Sequence, residues 1–186
     1  MMVIVPRIAV VSCLSATPFI YGIRQEASDF PAALSLLDIQ ETVRAFAEGR
    51  ADIALVPAGA VPHLSGARIV TEYCIGGVAA ELKALQASSD PLVEAWKPYG
   101  KLPCAFALWV ARAEVAPETV ESLRAALTRG LERPYEALLD SPWASDAGAA
   151  YAELARFDYI FDNQKDKALK KFWDSGLKVA PRTNPG

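Results

Sequence analysis

Residues 7–19 read Arg7-Ile-Ala-Val-Val-Ser-Cys-Leu-Ser-Ala-Thr-Pro-Phe19, and the change of texture inside that stretch decides the fold. Ile8 to Val11 is an uninterrupted apolar run, which fits a strand buried on both faces of a parallel sheet. Ala16-Thr17-Pro18 then opens a helix, with Thr17 readable as its N-cap and Pro18 at the first helical position. Phe19, Ile20 and Ile23 fall on one side of that helix, which ends before Ser28–Pro31.

The same alternation repeats downstream. Leu34–Ile39 is a second apolar run, and Gln40–Glu48 places Val43, Phe46 and Ala47 at helical spacing. Gly49 is the expected stop just past that helix. Asp52-Ile-Ala-Leu-Val56, closed by Pro57, is a third strand. Strands alternating with short helices point to an α/β sheet built through crossover connections. A turn at Ala58–Leu64 leads to a fourth run, Arg68–Ile75.

Beyond it the pattern changes. Gly76-Gly77 reads as a turn and Val78–Ala87 as a short alanine-rich helix. Asp90-Pro91 is a helix start, and Pro98–Pro103 is a break. Cys104–Val110 is again a buried-strand candidate. From Pro117 onward the chain reads as helical. Val120, Leu123, Ala126, Leu127 and Leu131 form one stripe, Ser145–Phe157 a second helix, and Asn163–Trp173 a third, capped by Asp162. The segment 179–186 carries two prolines and reads as a frayed tail.

Composition narrows the function classes. The 186 residues suit one domain, and 52% apolar residues supply a core. Net charge is −3 with acid and base interspersed, so no basic stripe tracks a phosphate backbone and nucleic acid is not an expected partner. Three scattered cysteines, Cys13, Cys74 and Cys104, read as reduced thiols, hence a cytoplasmic protein. No metal is expected, because His63 is the only histidine and no ligand spacing accompanies it. The five residues between Arg7 and Cys13 are too short a run for a signal-peptide core, and no run approaches the ~20 residues of a membrane span.

Several stretches resemble the chorismate dehydratases of menaquinone synthesis. That family opens with a strand and Ser-Tyr-Leu-Asn-Thr-x-Pro-Phe, where Ser12–Phe19 reads Ser-Cys-Leu-Ser-Ala-Thr-Pro-Phe. Gly49–Pro57 and Glu72–Gly76 are similar to its Val-Asp-Ile-Ala-Leu-Val-Pro and Tyr-Cys-Ile-Gly blocks. Glu94–Lys97, Leu102–Val110 and Tyr159–Lys165 follow in the family's order. The resemblance implies a lyase that removes water from chorismate to give a 3-enolpyruvyl benzoate, without a cofactor. It also implies one lobe of a periplasmic-binding-protein-like (type II) fold. That lobe would be a mostly parallel sheet flanked by helices, with a helical C-terminal part.

The chain departs from the family in two ways. Residues 1–76 and 102–178 would form the first lobe, while 77–101 is too short for the second lobe the family builds there. Ser15 stands where the family has an asparagine that looks catalytic, with Cys13 for a tyrosine and Ala16 for a threonine. A serine lacks the amide's reach and its separate NH₂ donor.

In open parallel sheets, ligands bind beyond the C-terminal strand ends. The candidate ligand-facing residues are therefore Ser12, Cys13 and Thr17 after strand one, with Ser15 as the catalytic candidate, and the backbone of Ala58 and Gly59 after strand three. Ser12 or Thr17 reads equally as a helix cap, and Ser15 as a turn residue. Phe106 and Trp109 read as core or as a seam that a missing lobe would expose together with Trp96, a surface that would suit a homodimer. Gly76-Gly77 lacks the context of a phosphate loop, and Lys165–Lys171 reads as a solvated helix face. The alternative function is a single-lobe module, vestigial or engineered, that binds a small anion without catalysis.

Overall fold

The computed structural model describes residues 4–78 and 103–174. The expectation of a helix at Val78–Ala87, of which only Val78 is described and belongs to a strand, and those for Asp90, Trp96 and the tail 179–186 otherwise lie outside them.

The first half follows the local pattern. Strand β1 (Arg7–Val11) leads through a short 3-10 turn into α1 (Thr17–Gln25), then β2 (Ala33–Leu37), α2 (Ile39–Ala47) and β3 (Ile53–Pro57). Helix α2 starts because the Asp38 carboxylate accepts the Glu41 N–H at 2.7 Å. It stops in a Schellman motif: Gly49 adopts φ 77°, its N–H reaches Phe46 O at 3.1 Å, and Arg50 N–H reaches Ala45 O at 2.8 Å.

In the sheet, β1 lies between β2 and β3 and runs parallel to both, with Ile8 opposite Leu34 on one side and Ile53 on the other. Alternation along these strands feeds two cores. Ile8, Val10, Ile53 and Leu55 pack with Phe19 and Ile23 of α1, whereas Ala9, Ala54 and Val56 pack with Val43 and Phe46 of α2. The two helices therefore cover opposite faces of one sheet.

Strand β4 (Ala67–Val78) does not continue the parallel series next to β3. Strand β5 (Pro103–Arg112) inserts between them, antiparallel to both, and pairs Leu55 with Trp109. A short β6 (Asp158–Ile160) closes the far edge of β4, giving the order β2-β1-β3-β5-β4-β6. The four strands β1–β4 share one direction, so the C-terminal ends of β1, β2 and β3 meet at one edge. Helix α3 (Pro117–Leu131) lies against α1; α4 (Pro134–Leu139) and α5 (Ala147–Leu154) follow, and α6 (Asn163–Asp174) packs on β5. Asp162 caps α6 as expected, accepting the Lys165 N–H at 3.0 Å.

Several expectations need correction. Gly76 and Gly77 lie inside β4 rather than in a turn. A Cβ at Gly76 would come 2.6 Å from Cys104 O and 2.8 Å from Asp158 O, so the glycine serves close strand packing. The C-terminal part is not continuously helical, since β6 interrupts it. Phe106 and Trp109 are 1% and 0% exposed, buried within this chain, so they form no open strip for a second copy.

Lys165 belongs to no solvated face either. It is 1% exposed and sits 2.6 Å from Asp158 and 3.5 Å from Asp162, while Lys167, Lys170 and Lys171 are exposed. Burial alone would lower its pKa, but the hydrogen bond and charge of Asp158 outweigh that and raise it.

Candidate functional site

Strand β1 ends where the chain must turn from sheet to helix, and that turn carries most of the sequence candidates. Ser12 is exposed and extends the ladder by one bond, its N–H donating to Leu37 O at 2.8 Å. Cys13 is extended and 7% exposed. The 3-10 turn Leu14–Ala16 then brings Ser15 inward to complete burial.

The Ser15 hydroxyl lies 3.3 Å from Cys13 Sγ, and its carbonyl accepts the Tyr159 hydroxyl at 2.7 Å. Tyr159 packs edge-on to Phe19 with ring centroids 5.3 Å apart. Strand β6 thus reaches across to brace the turn that follows β1. In this conformation the Ser15 side chain is enclosed by protein, not presented to solvent.

Neither expected side-chain cap of α1 forms. The N-cap is Ala16, with no side-chain cap bond, and Pro18 occupies the first turn. Thr17 is 3% exposed and donates back to Cys13 O at 3.4 Å, closing the turn on itself. Because β1 and β3 are parallel neighbours, Ala58 and Gly59 emerge at the same edge as Ser12. Both are buried, and the Ala58 carbonyl accepts the Trp173 indole N–H at 3.0 Å. That carbonyl is committed to α6. His63 is exposed at the end of the 3-10 turn that follows β3.

Ser12 and Thr17 share one cleft, about 60 Å³ in volume, that runs along α1 beside the end of β2. Tyr21 and Arg24 continue its wall along α1; Asp140, Ser141 and Trp143, after α4, form the facing wall. Thr17, Tyr21 and Arg24 are spaced i, i+4 and i+7, so the sequence does put them on one helix face. No local pattern links that face to Asp140 and Trp143. Cys13, Ser15, Ala58 and Gly59 do not line this cleft.

Among the described residues no group of three or more His, Cys, Asp or Glu side chains is arranged to hold a metal ion. No described helix is long and apolar enough to cross a membrane.

No protein-family profile and no curated protein sequence matches the chain. Solved structures do. Protein AF1704 from Archaeoglobus fulgidus superposes with a TM-score of 0.66 at 15% identity, over 92% of this chain and 98% of that one. The conserved Candida albicans CA3427 gene product, described as exhibiting the generic periplasmic binding protein fold, gives 0.59 at 7% identity, over 98% and 97%. The alkanesulfonate-binding protein SsuA from Xanthomonas axonopodis pv. citri, solved bound to MOPS, gives 0.56 at 13% identity, over 96% and 94%. Identities this low carry the fold alone. The chain is an α/β protein with a single six-stranded sheet among its described residues and a periplasmic-binding-protein-like fold.

Proposed function

We propose that this chain is a chorismate dehydratase-like protein that receives a small carboxylate at the C-terminal edge of its sheet. One observation carries the reading. The Ser12–Phe19 segment, which bears the motif resemblance, sits at the turn from strand β1, paired on both sides, into α1, at the edge where β3 also ends. Ligand sites of open α/β sheets lie at such edges, and helix starts there favour anions.

The chemistry asks for placement more than for strong acids. Loss of the ring hydroxyl as water and of a ring proton makes the product aromatic, so the barrier is lowered chiefly by holding the substrate near suitable donors. Ser12 is the exposed hydroxyl of the segment; Thr17 orders the turn by bonding Cys13 O. Ser15 would have to leave its place beside Cys13 to touch a substrate.

A cleft of about 60 Å³ is far below the ~300–1,000 Å³ of sites that enclose a ligand of this size. A cytoplasmic location belongs to the same proposal, supported by the sparse, odd count of three cysteines.

Incubating the purified protein with chorismate and following the ultraviolet absorbance of an aromatic product tests the activity. Product formed at many turnovers per protein upholds it. Saturable chorismate binding without product would leave a non-catalytic anion-binding module. Neither product nor binding would remove chorismate from consideration.

A further inference from the structure

The cleft between α1 and the chain following α4 pairs two opposite charges that do not use each other. Arg24 lies on the α1 wall and Asp140 on the facing wall. Neither makes an ion pair with a described residue, whereas Arg7, Arg44, Arg50, Arg124, Arg129, Lys165 and Lys170 each do. The Ser12 hydroxyl, the Tyr21 hydroxyl and the Trp143 indole N–H on the same cleft also have no partner among the described residues.

Other polar groups of the lining are committed. The Ser141 hydroxyl donates to Leu138 O at 2.6 Å and accepts the Trp143 N–H at 3.2 Å, and the Thr17 hydroxyl bonds Cys13 O. Ser141 therefore fixes the facing wall, and Thr17 fixes the start of α1. Ile20, Leu36, Ala137 and Pro142 supply an apolar lining between the charges.

We propose that this cleft binds a small zwitterion, an α-amino acid with a short side chain. A carboxylate would sit on the Arg24 guanidinium, whose planar donors match two oxygens at once. An ammonium would face the Asp140 carboxylate. A dianion would be repelled by Asp140, and a simple monocarboxylate or amine would satisfy only one wall. The volume of about 60 Å³ suits two charged head groups with little more than a methyl between them.

This inference does not rest on the chorismate reading. It shares the Ser12 and Thr17 rim with that site, but Arg24 and Asp140 carry it, and neither belongs to the dehydratase resemblance.

The test is titration of the intact chain with glycine and L-alanine, and with propionate and ethylamine as single-charge controls, read by chemical-shift perturbation. L-alanine is expected to bind at least tenfold tighter than either control. Arg24→Met is expected to abolish binding of both L-alanine and propionate. Asp140→Asn is expected to weaken L-alanine at least tenfold and leave propionate unchanged, which a merely structural role of Asp140 would not produce. Both side chains are exposed, so both variants should keep the parent melting temperature. Equal binding of L-alanine and propionate would overturn the proposal, as would equal losses for both in Asp140→Asn. So would the absence of any shift at about 10 mM L-alanine, well above a ~1 mM dissociation constant.

Discussion

Replacing Gly130 by alanine discriminates sharply between local and tertiary reasoning. Gly130 lies near the end of α3, and Gly22 faces it from α1. A Cβ on Gly130 would stand 1.8 Å from Pro18 O, and one on Gly22 would stand 2.0 Å from Ala126 O. Ordinary contact begins near 3.4 Å, so α1 and α3 would have to separate by about 1.6 Å. The obstructing atoms are backbone carbonyls of a neighbouring helix, which no rotamer change can clear. Overpacking of this kind costs about 3 kcal/mol. Helix propensity returns about 1 kcal/mol, since alanine is the better helix former. The net loss is about 2 kcal/mol, and at 2–4 °C per kcal/mol for a chain of this size the melting temperature should fall by about 4–8 °C. Thermal unfolding by circular dichroism measures it. Gly148→Ala in α5 is the control, because no atom lies within 4 Å of its Cβ position; it should gain up to about 1 kcal/mol. If Gly130→Ala were stabilising to the same degree as Gly148→Ala, the close helix crossing would be refuted.

Three further outcomes are expected. Thr71 holds φ 66° at an irregularity in β4 and accepts the Tyr73 N–H at 3.2 Å; Thr71→Asn keeps an acceptor two residues back and tolerates that backbone, so it should gain about 0.5–1 kcal/mol, and a lower melting temperature would contradict the strain. Burial pushes the Cys74 thiol up to about 12; with Cys13 and Cys104 replaced by alanine, the native protein should resist thiol reagents at pH 8 and react once unfolded in urea. Because the unfolded thiol ionises near 8.5 while the native one stays protonated, stability should also fall as pH rises above that value, and full labelling of folded protein would refute the burial. Asp52 accepts hydrogen bonds from Arg7 Nε, Nη2 and N, and the first two hold its carboxyl below the usual range ahead of any other cause. That stabilisation is present above the ordinary carboxylate pKa of ~3.9 and is lost as pH falls through the lower native value. The pair is partly exposed, so Asp52→Asn should cost only about 0.5–1 kcal/mol at pH 7, with the gap closing toward pH 3 in urea titrations; a gap independent of pH would exclude the linkage.

The sequence by itself determined those elements whose periodicity and punctuation are local. The buried run Ile8–Val11, the stripe Phe19–Ile20–Ile23, the stop at Gly49 and the buried strand Cys104–Val110 each declare what a segment of ten or so residues must bury, and the β-α-β-α-β order follows from them. Partners are another matter, because a hydrophobic pattern states that a face is covered without stating by what. Cys104–Val110 read correctly as a strand, yet nothing near it announced that it would slide antiparallel between β3 and β4. Lys165 resembled its solvated neighbours until Asp158 and Asp162 closed on it, and Gly76-Gly77 resembled a turn until Cys104 and Asp158 proved to press against the backbone there. The candidate sites divide in the same way. Ser12 and Thr17 were visible from their place between strand and helix, whereas the burial of Ser15 under Tyr159 and the meeting of Arg24 with Asp140 across one cleft depend on chain segments far apart in sequence. Only the folded chain brings such segments together, since contact energies between distant residues leave no imprint on local spacing.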